Sequence, residues 1–201
     1  MNVQTSYEEK KTGTLYVVPT PIGNLEDMTF RAINTLKEVD IIAAEDTRHT
    51  QKLLNHFEIK NKLISYHEHS KKERTEQLLD MLKQGENIAI VSDAGMPAIS
   101  DPGSELVKEV IAQEIQVVVL PGANAALCAL VGSGLSTDEF LFYGFLPRKK
   151  QEKEAELDRL GSLKATLIFY ESPYRIKDTL QVIVKQLGNR YISISREISK
   201  I

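Results

Sequence analysis

Short apolar runs alternate along this chain with stretches of helical spacing, and no other feature of the sequence narrows the fold as much. Leu15-Tyr16-Val17-Val18, Ile41-Ile42-Ala43-Ala44, Leu63-Ile64-Ser65-Tyr66, Asn87-Ile88-Ala89-Ile90-Val91 and Gln116-Val117-Val118-Val119-Leu120 are short, mostly apolar and bounded by turn formers. Runs of this kind read as strands of a buried sheet. Between them, apolar residues recur three or four positions apart: Ala32, Ile33, Leu36 and Val39, then Leu53, Leu54 and Phe57, then Leu78, Leu79 and Leu82, then Leu106, Val107, Val110 and Ile111. These read as helices. Thr29 and Thr47 are the expected N-caps, Gly85 is a C-terminal stop, and Pro102 and Ser104 are start signals for the fourth helix. Strand and helix in alternation give an α/β fold, a parallel sheet with helices on both faces.

The strands do not end in ordinary turns. Ser92-Asp93-Ala94-Gly95-Met96-Pro97-Ala98-Ile99-Ser100-Asp101-Pro102-Gly103 holds two Gly, two Pro and two Asp in twelve residues, where a strand-to-helix connection takes about 2–6 residues. It reads as a binding loop, with exposed backbone N–H groups and two carboxylates at the carboxyl end of a strand. Pro19-Thr20-Pro21-Ile22-Gly23-Asn24-Leu25-Glu26-Asp27 follows the first strand, Glu45-Asp46-Thr47-Arg48-His49 the second, and Pro121-Gly122-Ala123-Asn124 the fifth. In a parallel sheet all four loops lie on one edge, and that convergence marks the expected site.

At 201 residues the chain has room for one large domain or two small ones. A composition shift at Gly132-Ser133-Gly134-Leu135-Ser136-Thr137 reads as a linker. Beyond it come a strand at Phe140–Phe145, a charged helix from Gln151 to Leu160, a strand at Thr166–Tyr170, a helix from Tyr174 to Leu187 and a strand at Tyr191–Arg196. The expected division is a disordered tail 1–12, an N-terminal α/β domain 13–135 and a C-terminal α/β domain 136–201. The last strand lacks a closing partner, so the second domain is expected to be incomplete. The net charge of −3 excludes a protein that coats nucleic acid by bulk electrostatics and leaves room for a local basic patch. The single cysteine, Cys128, cannot form an internal disulfide and is expected as a small buried core residue. No secretory signal and no membrane-length apolar run stands in the sequence, so a reducing, cytoplasmic setting is expected.

Several chemistries fall away. No G-x-G-x-x-G follows a strand, and there is no Walker loop and no G-x-S-x-G elbow. His67 and His69 lack a third ligand for a metal, and no metal site is expected. Asp93 and Asp101 suit a ligand, the loop's own N–H groups or a helix cap better than a magnesium ion. An edge with backbone donors, small residues and a carboxylate suits an adenosine-like ligand, and spacing alone leads no further than a small-molecule transferase.

Six motifs carry a resemblance: Val17–Asp27, Ala44-Glu45-Asp46-Thr47-Arg48, Ser92–Gly103, Pro121-Gly122-Ala123-Asn124-Ala125, Gly144-Phe145-Leu146-Pro147 and Phe169-Tyr170-Glu171-Ser172-Pro173-Tyr174-Arg175. In this order they resemble the tetrapyrrole methylase superfamily, and within it the ribosomal RNA branch, the cytidine ribose 2′-O-methyltransferases of the small subunit. The resemblance runs from about Gly13 to the last residue. It implies two α/β domains with S-adenosylmethionine in the cleft between them, and a homodimer. It places Pro19, Thr20, Gly23, Asp93, Ala94, Met96, Ser100, Asn124, Ala125, Phe169 and Tyr170 at the cofactor. Asn124 stands where a hydroxyl residue is usual, and Tyr174 where histidine is expected.

The reaction implied is direct displacement at a sulfonium methyl group by a ribose hydroxyl, which needs a proton acceptor. Glu45, Asp46 and Glu171 are the candidates, because each ends a strand on the active edge. Glu45 and Asp46 have a second reading as helix cap and partner of Arg48. Small-subunit ribosomal RNA, free or assembled, would meet cations: Arg48, Lys71, Lys72, Arg74, Arg148, Lys149, Lys150 and Arg175. The run Arg148–Lys153 opens a helix, where the dipole disfavours cations, and so points to an external anion. Two other readings stay open: a methyltransferase acting on a tetrapyrrole carbon, and a truncated fragment without catalysis.

Overall fold

A computed structural model of the chain describes residues 12–67 and 71–200. The expected tail, up to Lys11, lies outside the described residues, as does His69. Two compact units are present: the first closes at Asn124 and takes in Ser199, and the second runs from Ala125 to Ile198. The expected division after Leu135 falls inside the second unit.

The first unit contains β1 (Thr14–Val17), α1 (Phe30–Glu38), β2 (Ile41–Ala44), α2 (Thr47–His56), β3 (Leu63–Ser65), α3 (Lys71–Lys83), β4 (Ile88–Val91), α4 (Ser104–Ala112) and β5 (Gln116–Val119). The strands form one sheet in the order β3-β2-β4-β1-β5, parallel throughout. Side chains alternate along each strand, so every strand feeds both faces. Ala89 and Val91 of β4 join Ala32, Leu36 and Leu54 beneath α1 and α2. Ile88 and Ile90 join Leu78, Leu82, Leu106 and Val110 beneath α3 and α4. All four residues of β4 are buried, which is why the strand reads as an unbroken apolar run. Each large aliphatic side chain buried this way contributes about 1.5–3 kcal/mol.

The strand order has a consequence for ligands. The chain leaves β1 for β2 across one face and leaves β4 for β5 across the other. β1 and β4 are neighbours, so their carboxyl ends form the switch point at which open α/β sheets bind ligands.

Capping follows local chemistry. Thr29 accepts a hydrogen bond from the Ala32 N–H at 3.0 Å and opens α1 as expected. At α2 the cap is Asp46 and not Thr47, because the Asp46 carboxylate accepts from the Arg48 N–H at 2.8 Å. Among the described residues no side chain caps α4. Gly103 stands before it at φ +129°, and a Cβ there would lie 3.0 Å from Ile90 Cδ1, so only glycine lets the loop return this closely to β4.

The second unit contains α5 (Ala125–Ser133), β6 (Phe140–Phe145), α6 (Lys150–Gly161), β7 (Thr166–Tyr170) and α7 (Ile176–Leu187). β6 and β7 pair in parallel, with a register shift between Phe142 and Gly144 that Gly144 accommodates at φ +81°. Two expectations are corrected here. Tyr191–Arg196 is not a strand: β6 and β7 form a two-stranded sheet, and an alternating run with no adjacent strand has no ladder to join. Cys128 is exposed, not buried. α5 buries Ala126 and Leu130, four residues apart, and Cys128 lies on another side of that helix.

Candidate active site

The site of the first unit is built where β1 and β4 end. Thr20 and Gly95 form an antiparallel bridge, each N–H donating to the other's carbonyl at 2.9 and 3.0 Å. The Thr20 hydroxyl donates to the Ser92 carbonyl at 3.1 Å. Gly95 sits at φ +83°, and a Cβ on it would stand 3.2 Å from Ile22 Cγ2. From the loop after β5, Gly122 comes so close that a Cβ would lie 2.7 Å from Pro19 Cβ. Three of the four expected loops are thus packed on one another. Pro19 and Thr20 are buried in that packing, and Ala94 and Ser100 are exposed. Ala98 at φ +69° and Ser100 at φ +60° hold left-handed backbone without being glycine, at a cost of about 1–2 kcal/mol each. Strain of this kind concentrates at ligand sites.

The fourth loop follows β2, the other neighbour of β4. The Asp46 N–H donates to Asp93 Oδ1 at 3.2 Å, and the Asp93 N–H donates to the Glu45 carboxylate. Glu45, Asp93 and Asp101 therefore gather at one edge. Burial first, and then repulsion from Asp93 and Asp101, push the Glu45 carboxyl above its ordinary range. Burial also raises Asp101, against a hydrogen bond from the Ser92 hydroxyl, with repulsion from Asp93 adding to the rise. Asp46 goes the opposite way. Arg48 grips it with Nε at 3.1 Å and Nη2 at 2.8 Å, and these bonds with the Arg48 N–H hold its carboxyl far below the usual range.

In the second unit, Ala125 opens α5, and Phe169 and Tyr170 end β7, half-buried. Tyr170 meets Phe142 edge-on at 4.9 Å and Phe145 at 5.7 Å, and Phe169 lies 5.9 Å from Tyr143. Glu171 follows at once. Its Oε1 accepts from the Ser172 N–H at 2.7 Å and pairs with Arg175 at 2.9 Å, and its Oε2 accepts from the Thr179 hydroxyl at 2.7 Å.

A family described as Tetrapyrrole (Corrin/Porphyrin) Methylases matches residues 14–199. The chain belongs to the tetrapyrrole methylase family. Among curated proteins it is similar to "Ribosomal RNA small subunit methyltransferase I" of Halalkalibacterium halodurans, 60% identical over 201 residues, covering 100% of this chain and 70% of the relative. The protein of the same name from Bacillus subtilis is 56% identical over 98% of this chain and 68% of the relative, and that of Synechocystis is 51% identical over 94% and 68%. Among solved structures, diphthine synthase superposes with a TM-score of 0.67 at 14% identity, covering 87% of this chain and 72% of that one. Cobalt precorrin-4 methyltransferase superposes with 0.64 at 17% identity, covering 86% and 74%. At these identities the two structures speak for the fold alone.

The other residues expected of a tetrapyrrole methylase of the RNA branch are distributed unevenly. Pro19, Thr20, Gly23, Glu45, Asp46, Asp93, Ala94, Met96, Ser100 and Asn124 all lie on the four loops of the first unit. Met96 also packs against the core beneath α3 and α4. Of the expected RNA-contacting cations, Arg48 is paired with Asp46, Lys149 with Glu152 at 3.0 Å and Arg175 with Glu171. Lys72, Arg148 and Lys150 are exposed and Arg74 is half-buried, while the Lys71 side chain lies outside the described residues. The cationic run loses one member. Lys153 is 6% exposed, and its ammonium donates to the Thr179 hydroxyl at 2.9 Å, so it faces no external anion. Sequence reasoning missed this pair. The available signal was that Lys153, Leu157 and Leu160 share one stripe of α6, all buried.

Proposed function

We propose that this tetrapyrrole methylase transfers a methyl group from S-adenosylmethionine to the ribose 2′ hydroxyl of a cytidine in small-subunit ribosomal RNA. The 60% identity along the whole chain to a relative named ribosomal RNA small subunit methyltransferase I carries the reading. The residues present fit such a donor. Three carboxylates gather beside the switch point, at the carboxyl ends of β2 and β4, and two of them are raised by burial and by repulsion from neighbouring carboxylates, an environment that a cation relieves. The glycine-packed Thr20–Gly95 bridge braces the loops on which Ala94 and Ser100 are exposed. When bound, S-adenosylmethionine supplies a methyl group on a positively charged sulfur, already a good electrophile.

What remains for the chain is to orient the hydroxyl and take its proton. Glu45 is the acceptor of choice among the three candidates, since its raised affinity for protons moves it toward neutrality. Asp46 is spent on capping α2 and holding Arg48. Lys72, Arg148 and Lys150 are the exposed cations available to phosphates. A homodimer, which the resemblance implies, belongs to the same proposal, as does the cytoplasmic setting expected from the sequence. Among the described residues no helix is long and apolar enough to cross a membrane.

Labelled S-adenosylmethionine incubated with isolated small ribosomal subunits tests the reading. Label on a cytidine ribose is expected. Label on a base, or no label in RNA with the donor still bound and a tetrapyrrole accepting it instead, overturns it.

A further inference from the structure

We propose that Glu171 is a positioning residue and not the proton acceptor: with Lys153 and Thr179 it forms a buried tether that fixes the turn leaving β7. The inference rests on the methyl-transfer reading above.

The tether joins three elements of the second unit. From α6, the Lys153 ammonium donates to Thr179 Oγ1 at 2.9 Å. From α7, the Thr179 hydroxyl passes its own hydrogen to Glu171 Oε2 at 2.7 Å. At the end of β7, Glu171 Oε1 takes the Ser172 N–H at 2.7 Å and Arg175 Nη2 at 2.9 Å. Lys153 is 6% exposed and Thr179 2%, and the Glu171 side chain is 5% exposed. The bonds from Lys153 through Thr179 to Glu171 are buried, while the Arg175 side chain is 34% exposed. A proton acceptor has to reach the hydroxyl it serves, and this carboxylate cannot do so without breaking the tether.

The same bonds explain what the tether does. Desolvation is the largest influence on Glu171 and works against its charge, yet the Thr179 hydroxyl, the Ser172 N–H, Arg175 and Lys153 together hold the carboxyl below its ordinary range. These partners favour its charged form, which makes it a fixed point for cations and donors. The turn around it is closed further by the Arg175 and Ile176 N–H groups, which donate to the Ser172 carbonyl at 3.0 and 3.1 Å. Phe169 and Tyr170, expected at the donor, stand directly before this turn. Displacing such groups weakens the hold on the donor expected of them, and a misplacement of about 1 Å is worth on the order of 10²-fold.

The test uses the chain with labelled S-adenosylmethionine and small subunits, and reads kcat, the KM for the donor and the pH profile of kcat. In Glu171→Gln the acid limb of the profile is expected to remain, with the loss, up to about 10²-fold, falling on KM for the donor. Thr179→Val is expected to raise that KM in the same way and Thr179→Ser to restore it. The proposal is overturned if Glu171→Gln removes the acid limb and lowers kcat by about 10²–10⁴ with KM unchanged, which would make Glu171 the base. If Glu171→Gln does not fold, Thr179→Val decides, and parental KM and kcat in that variant refute the tether. A parent chain that binds the donor, labels no RNA and methylates a tetrapyrrole refutes the RNA methyl-transfer reading instead. Donor affinity by titration calorimetry then reads the tether in the same variants, and parental affinity in Thr179→Val overturns it.

Discussion

Gly95→Ala probes the joint on which the candidate site depends. Gly95 holds φ +83°, and placing an L-residue there costs about 1–2 kcal/mol. Its Cβ would meet Ile22 Cγ2 at 3.2 Å, the end of a flexible side chain that can yield a few tenths of an ångström. The expected loss is therefore about 1–2 kcal/mol, which at 2–4 °C per kcal/mol for a chain of this size lowers Tm by roughly 2–8 °C. If the alanine is absorbed instead by parting the Thr20–Gly95 bridge, the cost appears in donor affinity, about tenfold per 1.4 kcal/mol. Gly122→Ala should be worse on both counts. Its Cβ would lie 2.7 and 2.9 Å from two ring carbons of Pro19, and a buried proline ring cannot swing aside. Gly132, on α5 with nothing within 4 Å of a Cβ, is the control: alanine there should be neutral or stabilise by up to about 1 kcal/mol. Scanning calorimetry and titration with S-adenosylmethionine give the ranking. Parental stability and affinity in both Gly95→Ala and Gly122→Ala would refute the argument that close loop packing builds the site.

Other expectations follow from the same geometry. Asp93→Ala should weaken S-adenosylmethionine binding while circular dichroism stays parental, and unchanged affinity by calorimetry would remove Asp93 from the site. Glu45→Gln should lower kcat by about 10²–10⁴. It should also stabilise the fold at neutral pH: the raised carboxyl means the folded state binds a proton more readily than the unfolded chain, so the parent gains stability as pH falls through the raised value and the advantage of the variant shrinks there. A constant difference in Tm between pH 8 and pH 4 would contradict this. Lys153→Met should destabilise by up to about 3–5 kcal/mol, the range for breaking a buried polar partnership, tempered because Arg175 and Ser172 still hold Glu171. Chemical denaturation measures it, and a loss under half a kilocalorie would show that Lys153 carries no structural role.

Much of the first unit could be read from the chain because its signals are local. β4 and its neighbours are buried on both faces, so their apolar character is continuous, and the helices between them show their stripe directly. Parallelism then places the four special loops on one edge without further information. What local signals do not carry is the order β3-β2-β4-β1-β5, which depends on pairing between distant segments, and with it the identity of the switch point. They also fail where neighbours compete or where nothing distinguishes the sides. Asp46 and Thr47 are both good caps, and the Asp46 carboxylate, bonded to the Arg48 N–H, took the place. Around Cys128 every residue of the run is small or apolar, so the sequence holds no sign of which side of α5 turns inward. Tyr191–Arg196 alternates as a strand does, but alternation states only what a strand would look like if a partner lay beside it.

The three candidate acids show the limit most plainly. Glu45, Asp46 and Glu171 are indistinguishable by position, each standing just after a strand, and chemistry separates them only through what surrounds them. Asp46 spends its oxygens on a helix end and a guanidinium. Glu171 spends both of its own on a buried hydroxyl, a backbone N–H and Arg175. Among the described residues Glu45 is held by one backbone N–H and faces other carboxylates, and of the three it is the one whose surroundings raise its affinity for protons. An acid that its surroundings satisfy becomes structure, and the acid they leave short of partners is the one equipped to take a proton from a substrate.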